Sequence, residues 1–125
     1  MEKELLNSDK ELLLKDICGR LPYGVKGILC EDGVWTLDRI WTKKGYESVV
    51  FAGDYYDVDC FKPYLFPLSS MTPKQKAELS ILVVDVEDIF KSFLIEVEFY
   101  HKHHIDYRGF IEKGLAIDAT GLNIY

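Results

Sequence analysis

Apolar and polar positions along this chain fall into three stretches: helical spacing first, then short alternating runs, then helical spacing again. From Ser8, the residues Leu12, Leu13, Asp16, Ile17 and Leu21 recur at helical intervals, and Leu14 and Cys18 widen the stripe. Ser8 with Glu11 three residues on has the spacing of a capping box, and Gly19 and Pro22 are stop signals, so a helix is predicted over 8–20. Residues 23–31 alternate weakly around Val25, Ile28 and Leu29, and Glu31-Asp32-Gly33 reads as a hairpin turn. Val34 to Trp41 alternates most clearly: Trp35, Leu37, Arg39 and Trp41 share one face of a strand, Val34, Thr36, Asp38 and Ile40 the other. After a turn at Lys43-Lys44-Gly45, a third strand is expected over Tyr46 to Ala52. Beyond Gly53-Asp54, a short fourth strand is expected over Tyr55 to Phe61.

Pro63 and Pro67 are expected to end the sheet. Thr72-Pro73-Lys74-Gln75 then combines a cap, a proline suited to the first helical turn and a capping-box glutamine, which predicts a helix from 73 to about 81. The β-branched run Ile81 to Val86 should break or bend it. Ile89, Phe90, Phe93, Leu94, Val97, Tyr100 and His104 then recur at three and four residues, which predicts a long amphipathic helix over 86–103. Asp106 can cap a short helix over 107–113, ended by Gly114, with an irregular tail over 115–125. Strands and helices are segregated rather than alternating, which argues for an α+β fold. Its expected parts are an N-terminal helix, a three- or four-stranded antiparallel meander over 23–61, and a helical C-terminal half packed on one sheet face. At 125 residues a single domain spanning 1–125 is expected.

Charge narrows the partners. Fifteen basic residues against twenty-one acidic ones give a formal net charge of −6, which disfavours nucleic acid and anionic membrane surfaces. No run of apolar residues approaches the ~20 that span a bilayer, and the N-terminus lacks a signal-peptide pattern. Cys18, Cys30 and Cys60, odd in number and without a CxxC pair, do not form a disulfide framework and are expected as buried thiols. Together these point to the reducing cytoplasm. Eight tyrosines and two tryptophans exceed what a small core needs, so some aromatic area is expected at a contact surface.

Four groups could carry chemistry. All three histidines lie within His101 to His104; His101, His104 and Asp106 could hold a divalent ion, or the histidines could simply favour the end of a helix dipole. Asp106, Tyr107 and Arg108 could clamp an anion or form a cap with an internal ion pair. The acidic run Asp54 to Asp59 does not match the calcium-loop pattern and reads as a charged edge strand. Trp35, Arg39 and Trp41 form a stacking platform if their face is open and core if it is closed; the more polar opposite face favours core. No phosphate loop and no motif for a nucleophile or metal centre is present, and no cofactor is expected.

Three segments carry a resemblance: Gly19-Arg20-Leu21-Pro22-Tyr23-Gly24-Val25-Lys26, Lys62 to Thr72, and His103 to Ala116. In this order they resemble a group of small uncharacterised proteins from phages and mobile elements of gut Bacteroidales, with a departure at Phe66, where a basic residue is expected. The resemblance implies a cytoplasmic accessory protein of a phage or mobile element that acts by binding a partner, and it supplies no catalytic residues. A non-enzymatic interaction protein acting on a host factor therefore leads. A small metal-dependent enzyme built on His101, His104 and Asp106, and an acidic nucleic-acid mimic, are the alternatives. The expected docking region is Tyr64, Phe66, Asp106, Tyr107 and Arg108, where aromatic area meets a bidentate donor. The competing reading has these residues locking two parts of the fold together.

Overall fold

The computed structural model describes residues 7–30, 32–42 and 47–125. Glu31 of the expected hairpin, the Lys43-Lys44-Gly45 turn and the Tyr46 start of the third strand lie outside the described residues. The fold is α+β. Helix α1 (Asn7–Arg20) opens the described chain and is followed by β1 (Lys26–Leu29) and β2 (Asp32–Thr36), which pair antiparallel. Then come β3 (Arg39–Trp41), β4 (Ser48–Phe51) and β5 (Asp54–Asp57), a separate antiparallel sheet in the order β3-β4-β5. The uninterrupted strand expected over 34–41 is thus two strands in two sheets. The switch falls at Leu37 and Asp38: the Leu37 amide donates to Val25 O at 2.9 Å, the Asp38 amide to Val50 O at 3.3 Å. Leu37 is buried at this corner.

The largest departure from expectation is β6 (Phe61–Pro67), which runs straight through Pro63. It pairs antiparallel with β1 and parallel with two short strands, β7 (Ile105–Asp106) and β8 (Ile117–Asp118). The strands within 23–61 thus pair antiparallel as expected, but they divide between two sheets rather than forming one meander, and β6 adds parallel neighbours to the first. The excursion after β6 through α2 (Pro73–Val83) and α3 (Ile89–Lys102) supplies the crossover that a parallel neighbour requires. Gly27 faces Pro63 across the β1–β6 ladder, and a Cβ there would collide with Lys62 O and the Phe61 ring. A side chain at 27 would force the two strands apart.

Pro63 takes no bond from the β1–β6 ladder, because the groups that face across are those of Lys26 and Tyr64, one residue out of phase with it. Where β1 and β6 would next pair, the Tyr125 hydroxyl stands between them. It accepts from Lys26 N at 2.8 Å and lies 2.8 Å from Tyr64 O and 3.2 Å from Lys26 O, either of which can take its proton. The C-terminal segment, expected to be irregular, supplies both this bridge and β8.

The core gathers Leu13 and Ile17 of α1 with Val25, Leu29, Leu37, Val49, Phe51, Phe61, Leu65, Phe110 and Leu115. The Thr72–Gln75 capping box forms as predicted, Gln75 N donating to Thr72 Oγ1 at 3.1 Å and Thr72 N to Gln75 Oε1 at 3.0 Å. α3 begins three residues later than predicted, because Asp88 caps it by accepting from the Phe90 and Lys91 amides. The helix expected over 107–113 is instead a series of turns, so the C-terminal half is only partly helical. Asp106 accepts from Phe110 and Ile111, four and five residues on, where a helix N-cap would bind two or three residues on.

Candidate functional site

Three features with chemical or binding potential emerge around α3. The first is an ion-pair knot. Asp16 and Arg20, one turn apart on the buried face of α1, are both inaccessible to solvent. Arg20 Nε donates to Asp16 Oδ2 at 2.6 Å and Nη2 to Asp16 Oδ1 at 3.2 Å. The same guanidinium reaches Ile105 O at 2.7 Å and Tyr100 O at 3.4 Å, which ties α1 to α3 and β7. Arg108 completes the group, its Nε donating to Asp16 Oδ1 at 3.1 Å. Asp16 thus accepts three N–H groups, which satisfies a carboxylate that burial alone would expel.

Tyr107 lies between the two guanidinium groups, with ring-centroid distances of 5.0 Å to Arg108 Cζ and 5.7 Å to Arg20 Cζ. It also stacks on Tyr100 at 5.4 Å, and its hydroxyl is 2.9 Å from His101 Nε2. Burial lowers the His101 pKa, and the neighbouring Arg20 charge lowers it further. Burial raises the Tyr107 pKa against the opposing pull of Arg108. Both shifts keep this pair neutral, so the histidine does not ionise the phenol at neutral pH. The imidazole is seated where Gly19 leaves room; a Cβ on residue 19 would overlap its ring.

The second feature is the C-terminal latch. His104 has a left-handed backbone, φ 58°, and its ring stacks on Tyr125 with centroids 3.6 Å apart and planes 8° from parallel. Burial lowers its pKa to about 4, with Arg20 adding to the effect. Its Nδ1 is buried without a hydrogen-bond partner. Phe66 packs on the other side of the latch, 6.0 Å from the Tyr125 ring.

The five residues singled out in the sequence are therefore brought into one region, each with partners inside the chain. Tyr64 is buried and its carbonyl is held by Tyr125, Phe66 meets Tyr125, Asp106 caps the following turn, and Tyr107 and Arg108 join the knot. Arg108 keeps 31% of its side chain exposed. A cleft of about 750 Å³ opens beside Asp106 and Tyr107, bordered by Pro67, Leu68 and Glu112. Among the described residues, no three His, Cys, Asp or Glu side chains gather in a way that could hold a metal ion. His101 is turned to Tyr107 and His104 to Tyr125, away from a shared centre with Asp106. Cys18 and Cys30 are exposed and Cys60 half-buried, so the expectation of three buried thiols is not met.

Two other sequence candidates separate. Trp35 and Trp41 sit in different sheets, at 40% and 41% exposure, so the closed core face expected for them does not exist. Each instead turns an edge to one aromatic neighbour, Phe51 and Tyr55 respectively. The acidic run forms the edge strand β5 and the turn after it, where Asp57 pairs with Lys10 at 2.7 Å. Burial favours protonation of Asp57, but hydrogen bonds from Asp59 and Lys10 hold its pKa down. The hydrogen bond with Asp57 raises that of Asp59.

The third feature was not anticipated as a site. The stripe on α3 was expected to pack on the sheet, and only its C-terminal half reaches the body of the fold. Arg20 meets Tyr100 O, and Tyr23 donates to Glu98 at 3.0 Å. The 14 residues of α3 span about 21 Å, and most of the side chains in its first two turns are exposed. Ile89 and Phe90 are 81% and 80% exposed, and Phe93, Leu94, Ile81 and Val84 are also open to solvent. A groove of about 570 Å³ runs between the two helices, lined by Ile81, Leu82, Ile95 and Phe99 among others. The signal lay in the sequence: apolar residues occupy nearly every face of Ile89 to Ile95, more than one sheet can cover.

Among the described residues no helix is long and apolar enough to cross a membrane. Compared with protein-family models, with curated proteins and with solved structures, the chain finds no match.

Proposed function

We propose that this protein is a non-enzymatic interaction protein whose contact face is the apolar hairpin of α2 and α3. In keeping with the resemblance of its sequence, it would serve as a cytoplasmic accessory factor of a phage or mobile element, directed at a host partner. The observation that carries the proposal is the exposure of Ile89, Phe90, Phe93 and Leu94 on one helix. Contiguous apolar patches beyond a few hundred Å² are rare on monomers and mark contact sites. The residues of the Asp16 knot are occupied with one another, whereas among the described residues the side chains of Ile89, Phe90, Phe93 and Leu94 are left largely uncovered.

A photo-crosslinking residue placed at Phe93, at Glu112 beside the Tyr107 cleft, and at Tyr55 as a control tests this in cells. Protein adducts at position 93, lost when Phe90→Asp is added, are expected. Adducts at 112 with none at 93 would move the contact to the Asp106–Arg108 region, and adducts at neither would overturn a contact function for both.

A further inference from the structure

We infer that the polypeptide seated on the α2–α3 hairpin is a second copy of this chain, the two hairpins closing antiparallel into a four-helix bundle. The inference rests on the hairpin being a contact face; it makes that contact homotypic and leaves a host partner to the remaining surface of the dimer, and two observations select the occupant.

The first is area. Ile81, Val84, Ile89, Phe90, Phe93 and Leu94, with Leu82 beside them, are more than half exposed. Together they present on the order of 800–1,000 Å² per chain, and a two-fold contact doubles this into the 1,200–2,000 Å² range of stable interfaces. A lone two-helix hairpin cannot bury apolar residues on both its inner and outer faces. Four helices can, with Ile95 and Phe99 inside each hairpin and the outer stripe between hairpins.

The second is charge. The tip of the hairpin carries Asp85 and Glu87, and its base carries Lys74, Lys76 and Lys102, all exposed. Among the described residues none of these five joins an ion pair within the chain. Lys91, one turn into α3, is the exception to the acidic tip. The base is mixed: Glu78 lies one turn from Lys74, and Glu96 and Glu98, which keep their charge, accept from the Tyr100 and Tyr23 hydroxyls at 2.8 Å and 3.0 Å. An antiparallel two-fold sets each acidic tip against Lys74 and Lys76 at the start of the other chain's α2, and the contact is self-complementary. A parallel pairing would set tip against tip and repel.

Sedimentation of the purified, reduced full-length protein across micromolar concentrations tests the inference. The expected species has twice the 14.5 kDa mass of the chain. Phe90→Asp lies at a position 80% exposed in the monomer, so the fold is expected to survive. It should weaken the dimer roughly thirtyfold or more, as for a central aromatic anchor. Reversing the tip (Asp85→Lys with Glu87→Lys) should also weaken it, and reversing the base as well (Lys74→Glu with Lys76→Glu) should restore it. A monomer at every concentration would overturn the inference. If position 93 still crosslinked to a different protein, the contact face would stand with another occupant; if it crosslinked to nothing, both would fall. Flotation of the monomer with neutral lipid vesicles would assign the face to a membrane instead. A dimer that survives Phe90→Asp, or one not rescued by the double reversal, would overturn the antiparallel hairpin arrangement.

Discussion

Removing the Asp16 carboxylate should be the most damaging single polar change in this protein. In Asp16→Ala, Arg20 loses two of its N–H partners, and Arg108 loses its own. Arg20 stays at zero exposure with only the Ile105 and Tyr100 carbonyls left to it. Leaving one member of a buried ion pair behind costs about 3–5 kcal/mol. That is a large share of the roughly 5–15 kcal/mol that holds a domain together. For a chain of this length, the loss corresponds to a fall in Tm of roughly 10–20 °C. Arg108, 31% exposed, can turn to water and should add little. The charge account also makes a second, less intuitive claim: the double variant Asp16→Leu, Arg20→Met should be more stable than Asp16→Ala. It removes the stranded cation, and exchanging a buried ion pair for apolar residues of similar volume is often close to neutral, whereas stranding one member is not. Urea unfolding of wild type, Asp16→Ala, the singles Asp16→Leu and Arg20→Met, and the double variant gives the comparison and the cycle. A loss in Asp16→Ala under about 1 kcal/mol would show that water or relaxation already compensates Arg20. A double variant no better than the sum of its singles would refute the claim that the cost is an uncompensated charge.

The histidine latch predicts an acid-sensitive stability. His104 is held neutral in the fold with its pKa lowered to about 4, while the unfolded chain protonates near 6.5. Between those values the unfolded state binds more protons, so stability is complete above pH 6.5 and falls as the pH drops toward 4, with His101 acting in the same direction. In His104→Asn, which tolerates the left-handed backbone, the pH dependence over that window should flatten; an unchanged slope would rule His104 out as its source. Tyr125→Phe keeps the stacking on His104 and removes the hydroxyl between β1 and β6. It should cost about 1–2 kcal/mol and speed hydrogen exchange at the Lys26 amide, and unaltered exchange there would show that the bridge does not hold the strands. Gly27→Ala drives a methyl into Lys62 O and the Phe61 ring, and chemical denaturation should show a loss of about 1–3 kcal/mol; wild-type stability would mean β1 and β6 can part freely at that point.

Sequence alone determined the features that depend on near neighbours. The Thr72–Gln75 capping box, the helical period of α3 and the end of α1 at Arg20 are all settled within four or five residues along the chain. The turn after Phe51 and a charged edge strand following it were legible for the same reason, although the strand runs Asp54–Asp57 rather than Tyr55 to Phe61, since Val58–Cys60 forms a 3-10 turn and Phe61 opens β6. The clustering of Tyr64, Phe66, Asp106, Tyr107 and Arg108 was also foreseen, because apolar, proline-interrupted chain has to be pinned against something. Tertiary structure alone decided what covers each face. Pro63 reads as a strand breaker, yet it pairs with Gly27 where the β1–β6 ladder exchanges no bond, and Tyr125, some sixty residues on, bridges the next pair, Lys26 and Tyr64. Trp35 to Trp41 alternates as one strand, but burying Leu37 at the corner between two sheets splits it. Asp16 in the α1 stripe resembled a polar interruption until Arg20 below it and Arg108 from the far end of the chain made it the centre of the knot. The stripe of α3 had the right period, but periodicity says only that a face is apolar. Whether another element lies within reach of that face depends on where distant segments come to rest, and over Ile89 to Leu94 the described residues leave most of it open.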